Sequence, residues 1–175
     1  MLRNKLRIVS WNWSKKIADD NKLQKGNNSP KTLIVEINES ISISQSPKKI
    51  WNFWMLVTTD VQWRDGITKA EWTSLPPYGI GSTGIHYNKD IGAMPWTITR
   101  WEDGRLTEWV HRESRIKGSI ASYHVEPENG GSRVTLHAKM VGPLIMRIMM
   151  VFMGGMMKRG VKADLQKLKA VVEMT

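Results

Sequence analysis

Residues 94–141 read MPWTITRWEDGRLTEWVHRESRIKGSIASYHVEPENGGSRVTLHAKMV. Apolar residues alternate with polar ones along Met94–Glu102, Arg105–Ser114, Ser119–Glu126 and Arg133–Val141. The runs are separated by Asp103-Gly104, Lys117-Gly118 and Asn129-Gly130-Gly131. Successive strand side chains point to opposite faces, so a period of two marks a half-buried strand, while Asp-Gly and Asn-Gly supply the positive φ angles of tight hairpins. The stretch predicts a consecutive antiparallel meander. Toward the N-terminus, Ile67–Ser74 and Gly84–Lys89 extend it, bounded by Pro76-Pro77-Tyr78-Gly79 and Asp90-Ile91-Gly92.

A further strand starts at Thr32, where Leu33, Val35 and Ile37 oppose Ile34, Glu36 and Asn38, and the alternation runs on through Ile41 and Ile43. Ser46-Pro47 then supplies a helix N-cap with proline in the first turn, and Ile50, Trp51, Trp54, Met55 and Leu56 recur at helical spacing to about Val57. A second small helix is expected over Thr58–Arg64, capped by Thr58 or Thr59 and closed by the turn signal Asp65-Gly66. Beyond the meander, Gly142-Pro143 breaks the pattern, and Leu144–Val172 has no further proline and keeps an apolar face that includes Ile148, Leu165 and Leu168. That is a long helix. Gly154-Gly155 within it costs about 1 kcal/mol per glycine relative to alanine and marks a kink or a point of close approach. A curved antiparallel sheet of about seven strands has one face to cover, and only the last helix is long enough to cover it. The expected class is α+β in a helix-grip arrangement, with two short helices after the first strand.

The 175 residues suit one ordinary domain, and a chain without cysteine has no disulfide framework, thiolate metal site or cysteine nucleophile. The formal charge of +10 is unevenly spread. Residues 1–31 carry eight basic and two acidic side chains, residues 143–175 six and two, and residues 32–142 twelve of each. The expected organisation is therefore a basic N-terminal extension over 1–31 and a folded domain over 32–175. In the extension, Leu2, Leu6, Val9 and Trp13 gather on one face of a short helix flanked by lysine and arginine, an interfacial pattern that also resembles an organelle transit peptide. A flexible segment is the other reading of it. A charge-balanced body with no recognition motif argues against nucleic acid, and the basic ends leave peripheral contact with an anionic membrane open. The apolar run Leu144–Met157 falls short of the roughly 20 residues needed to span a bilayer and ends at Lys158-Arg159. A cytoplasmic location is expected, with peripheral membrane contact and organelle targeting by residues 1–31 as open alternatives.

Over residues 32–172 the chain resembles the START-like or SRPBCC superfamily, which includes the polyketide cyclase/dehydrase and lipid transport proteins. The likeness is carried by the strand leading into Ser46-Pro47-Lys48-Lys49-Ile50-Trp51 and by the loop Gly79-Ile80-Gly81-Ser82-Thr83-Gly84. Trp101-Glu102-Asp103-Gly104-Arg105-Leu106 and Tyr123-His124-Val125-Glu126-Pro127, running into Gly130-Gly131-Ser132-Arg133-Val134-Thr135, complete it. The resemblance implies a cavity between the sheet and the last helix for a hydrophobic or amphipathic small molecule, such as a lipid, a quinone or a polyketide-like compound. Carrying or sensing that molecule is the expected role. A cyclase- or dehydratase-like enzyme and an assembly factor docking through the basic ends are the alternatives.

Gly79-x-Gly81-x-x-Gly84 matches a dinucleotide fingerprint in letters but precedes a strand, so it reads as a flexible loop at a cavity rim, and no cofactor is expected. His86, His111, His124 and His137 have no metal-ligand spacing, and no metal is expected. By strand parity His137 faces water, while His111 travels with Thr107 and Trp109 toward the cavity and Glu108 lies on the other face. The nine tryptophans are unusual for a chain of this length. Most should be core, but Trp72, Trp96 and Trp109, with Tyr78, Tyr123 and His111, are the candidates for the cavity wall. From the last helix, Met149 and Phe152 join them, since a methionine-rich face adapts to ligands of varied shape.

Overall fold

The computed structural model describes residues 35–141 and 144–175, with side chains for 35–141 and 154–175. The expectations for residues 1–31, for Gly142-Pro143 and for the side chains of Met149 and Phe152 lie outside the described residues. Seven strands form one curled antiparallel sheet. In chain order they are β1 (Val35–Ile43), β2 (Ile67–Trp72), β3 (Thr83–Asn88), β4 (Gly92–Glu102), β5 (Leu106–His111), β6 (Ile120–Glu128) and β7 (Gly131–Met140). Strands β2 to β7 pair consecutively, and β1 closes the far edge by pairing with β7 from Val35↔Met140 to Ile43↔Ser132. Three helices complete the domain: α1 (Pro47–Met55), α2 (Asp60–Trp63) and α3 (Leu144–Met174).

Ser46 caps α1, its Oγ accepting from the Lys49 amide at 3.3 Å, and Pro47 opens the first turn. The second helix departs from expectation. Val57–Thr59 forms a 3₁₀ turn, only Asp60–Trp63 is α-helical, and neither threonine caps through its side chain. Thr59 Oγ1 instead donates to the Phe53 carbonyl at 3.0 Å, holding the turn against the end of α1. Strand β5 ends at His111, short of the expected Ser114, because the Gly118 amide turns back to the His111 carbonyl at 2.8 Å. Helix α3 runs unbroken through Gly154-Gly155.

Leu165, Leu168 and Val172, at helical spacing, bring the last three turns of α3 onto the core. The helix is also tied at its polar edges. Asp164 accepts from the Asp65 amide at 3.0 Å, Glu173 accepts from the Ser44 amide at 2.7 Å, and Lys169 donates to the Ser42 carbonyl at 3.0 Å. The core combines these residues with Ile43, Ile50, Val125, Val134 and six aromatic side chains, Trp51, Trp54, Trp63, Trp96, Trp109 and Tyr123. Burying about 150–250 Å² of each indole at ~25 cal/mol per Å² gives a gross gain of about 4–6 kcal/mol per tryptophan, an upper bound.

Candidate ligand-binding site

Curling of the sheet gathers its inward-facing residues into rows set by register. Trp72 lies opposite Gly84, Gly84 opposite Trp96, and Trp96 opposite His111. A second row pairs Ile98 with Trp109 and Trp109 with Ala121, and a third pairs Trp101 with Thr107 and Thr107 with Tyr123. The register shift between Ile98 and Arg100 turns Trp101 toward the core, where strict alternation from Ile98 would have placed Arg100.

Gly84 leaves room for this arrangement. An ideal Cβ there would stand 2.1 Å from Trp96 Cζ2 and 2.4 Å from Cη2, so the indole occupies the space a side chain would need. From Trp96 a chain of ring contacts runs both ways. Trp72 meets it edge-on at 4.9 Å and carries Tyr78 stacked on it at 4.1 Å; Trp109 lies 6.5 Å away and leads to Tyr123 at 5.1 Å. Tyr123 stacks on Trp54 of α1 at 5.1 Å and meets Trp63 of α2 edge-on at 5.5 Å. Trp72 Nε1 donates to the Met55 carbonyl at 3.1 Å, pinning β2 to the end of α1.

Between the sheet and α1–α2 lies a pocket of about 40 Å³ that opens to solvent; among the described residues its far wall comes from these short helices and not from the last helix, where it was expected. Trp72, Trp96, Trp109 and Tyr123 line it, as do Ile98 and Thr107 on the sheet and Trp54, Met55, Val57 and Asp60 on the opposite wall. Two candidates from the sequence fall elsewhere. Tyr78 is not in the wall but backs Trp72 from the β2–β3 loop. His111 is buried on the inner face, as parity indicated, yet its Nδ1 lies 3.3 Å from the Pro95 carbonyl and the ring does not line the space. Burial, with the nearby His86 and Arg64, lowers the His111 pKa to about 4, so this imidazole is neutral at physiological pH. The glycine loop is not free at the rim: Gly81 donates to the Ile98 carbonyl at 2.9 Å, and Ser82 Oγ accepts from the Gly79 amide at 2.9 Å. His137 is half-buried on the outer face.

A charged cluster in the wall was not anticipated from sequence. Asp60, almost completely buried, receives Arg64 Nη1 at 3.0 Å and His86 Nε2 at 2.9 Å, both on Oδ2. His86 also lines the cavity. Burial alone would raise the Asp60 pKa, but the His86 hydrogen bond and the Arg64 charge outweigh it and hold the carboxyl below its usual value. Burial and Arg64 lower the His86 pKa, leaving a neutral imidazole beside an ionised carboxylate. Burial pushes the Tyr123 phenol up, so it keeps its proton. Among the described residues, Trp54, Trp96 and Trp109 each hold a buried indole N–H without a hydrogen-bond partner, and so does His86 at Nδ1. No group of carboxylates and imidazoles suited to a metal ion occurs among the described residues, and no described helix is long and apolar enough to cross a membrane.

Residues 35–173 match the family described as polyketide cyclase / dehydrase and lipid transport. The chain belongs to this family. The match spans nearly all of the described helix-grip domain and, with the shared fold, places the chain within the SRPBCC, START-like proteins. Solved structures of low identity share the fold. The di-domain ARO/CYC StfQ from the steffimycin biosynthetic pathway aligns with a TM-score of 0.63 at 9% identity, over 81% of this chain and 51% of that one. This chain thus spans about half the length of that relative. TTHA0849 from Thermus thermophilus gives 0.64 at 15% identity, over 78% and 96%, and Ara h 8.0201 gives 0.59 at 11%, over 81% and 99%. Comparison with curated proteins found no significant match.

Proposed function

We propose that this SRPBCC domain binds a hydrophobic or amphipathic small molecule in the aromatic cavity between its sheet and helices, and acts as a carrier or sensor of it. The observation that carries this reading is an aromatic-walled space bordered by three indoles, Trp54, Trp96 and Trp109, whose buried N–H groups have no partner among the described residues. A buried donor left unpaired costs about 1–3 kcal/mol, which a molecule with an apolar body and acceptor atoms recovers as the indoles reorient onto it. Lipids, quinones and polyketide-like compounds share that make-up. The test is native mass spectrometry of protein purified without detergent, followed by organic extraction. A reproducible apolar species that co-purifies supports the reading. Protein that is folded, empty and unable to bind an environment-sensitive apolar dye overturns it.

The di-domain ARO/CYC relative favours a second reading, in which the pocket folds a reactive chain and a wall residue moves a proton. Tyr123 is the candidate for that role because its protonated phenol is in the wall, whereas His111 is set back from it. Turnover of a polyketide-like substrate that is lost in Tyr123→Phe would establish it, and unchanged turnover would remove it.

A further inference from the structure

The Asp60–His86 contact fixes which nitrogen of the imidazole holds the proton. Asp60 is a carboxylate and can only accept, so at 2.9 Å the His86 Nε2 must be the donor. The Arg64 contact to that same nitrogen is longer, 3.3 Å, and the guanidinium is already committed to Asp60 at 3.0 Å. A neutral imidazole protonated at Nε2 carries a bare lone pair at Nδ1. This is the atom left buried without a partner among the described residues, on a side chain only 3% exposed that lines the cavity. The wall around it offers indole N–H donors and hydroxyls beside the ionised Asp60 carboxylate, and His86 adds a neutral acceptor to them.

We propose that His86 Nδ1 accepts a hydrogen bond from a hydroxyl group on the bound molecule. The cavity then selects a neutral alcohol, phenol or enol over the same skeleton capped as an ether or carrying a carboxylate. A carboxylate has no proton to give Nδ1 and would be buried beside the Asp60 charge; an ether can only accept. Asp60 acts here as a positioning residue. It holds the tautomer and aims the ring, with Arg64 keeping it ionised. This inference rests on the ligand-binding reading above and names the polar group that reading leaves open.

The test uses the full chain with 2-naphthol, 2-methoxynaphthalene and 2-naphthoate as probes, followed by calorimetry or tryptophan quenching. Wild type should bind the naphthol about tenfold more tightly than the methyl ether, the effect of one satisfied buried hydrogen bond. The naphthoate should bind more weakly still. In His86→Leu the preference for naphthol over ether should fall to near unity. Because that variant removes one partner of Asp60 and puts the fold itself at risk, a second measurement uses wild type alone. In ¹⁵N-histidine spectra, His86 should show its proton on Nε2, and its Nδ1 resonance should move on adding naphthol but not on adding the ether. Equal affinity for naphthol and ether, or a proton found on Nδ1, overturns this inference and leaves the cavity reading standing. Failure of all three probes to bind overturns both.

Discussion

Replacing Gly84 with alanine tests whether the sheet is built around the Trp96 indole. The new methyl carbon would meet Cζ2 at 2.1 Å, Cη2 at 2.4 Å and Cε2 at 2.7 Å, all far inside van der Waals contact. Gly84 has no positive φ, so backbone strain is absent and the whole cost comes from the collision. The strand cannot retreat, because Gly84 is paired on both sides, with Trp72 and Trp96. The indole must therefore turn, and it is held by Trp72 at 4.9 Å, His86 at 5.5 Å and Trp109 at 6.5 Å. Overpacking of this kind costs about 1–3 kcal/mol. At roughly 2–4 °C per kcal/mol for a chain of this size, Gly84→Ala should lower Tm by about 2–12 °C. Thermal unfolding followed by circular dichroism reads the loss, and near-ultraviolet dichroism reads the altered indole packing. A double-mutant cycle makes the assignment specific: Trp96→Leu is destabilising alone, but adding Gly84→Ala to it should cost about 1 kcal/mol less than in wild type. Unchanged Tm and an unchanged near-ultraviolet spectrum for Gly84→Ala, or strict additivity in the cycle, would refute the reasoning.

Acid should weaken the fold through its buried imidazoles. Folded His111 titrates at about 4 against 6.5 for the free side chain, so the unfolded chain binds the extra proton between these values, and stability falls by about 3 kcal/mol as pH drops from 7 through 4. His86 acts in the same direction; His111→Gln should flatten the pH dependence of urea midpoints, and an unchanged profile would count against the buried neutral assignment. Asp60→Ala strands Arg64 and His86 without their carboxylate and should cost about 3–5 kcal/mol, nearer the lower figure because part of Arg64 reaches water. Urea denaturation of the purified variant checks this, and a loss below about 1 kcal/mol would show that the cluster is not a unit. Ser46→Ala removes the α1 cap and should cost about 1 kcal/mol in the same assay, with Ser46→Thr close to wild type.

The fold was legible because it rests on signals that act over a few residues. Hairpin glycines are an example: Gly104, Gly118 and Gly130 all have positive φ in the structure, as their turns require. Face assignments were legible only while alternation held. Trp109, Thr107 and His111 share the inner face as parity says, but the shift between Ile98 and Arg100 carries Trp101 inward, and nothing local in the sequence announces it. Burial and cavity contact are also different properties. His111 is on the correct face, in the same row as Trp72 and Trp96, yet its ring does not line the open space, and Tyr78 stacks on Trp72 without joining the wall. The Asp60–Arg64–His86 cluster escaped for a third reason. Asp60 and Arg64 sit four residues apart on a short helix and, read locally, look like a solvated surface pair. The partner that makes them a buried site is 26 positions from Asp60 along the chain, on a strand where Gly84 is its buried neighbour on the same face. Sequence spacing speaks only to a metal-ligand role for His86, whereas its place in the cluster depends on the sheet carrying β3 beneath α2. A glycine next but one to a histidine on an inward-facing strand was the available signal. The missing side chain makes room for a large ring from the next strand, and that ring helps to bury the imidazole.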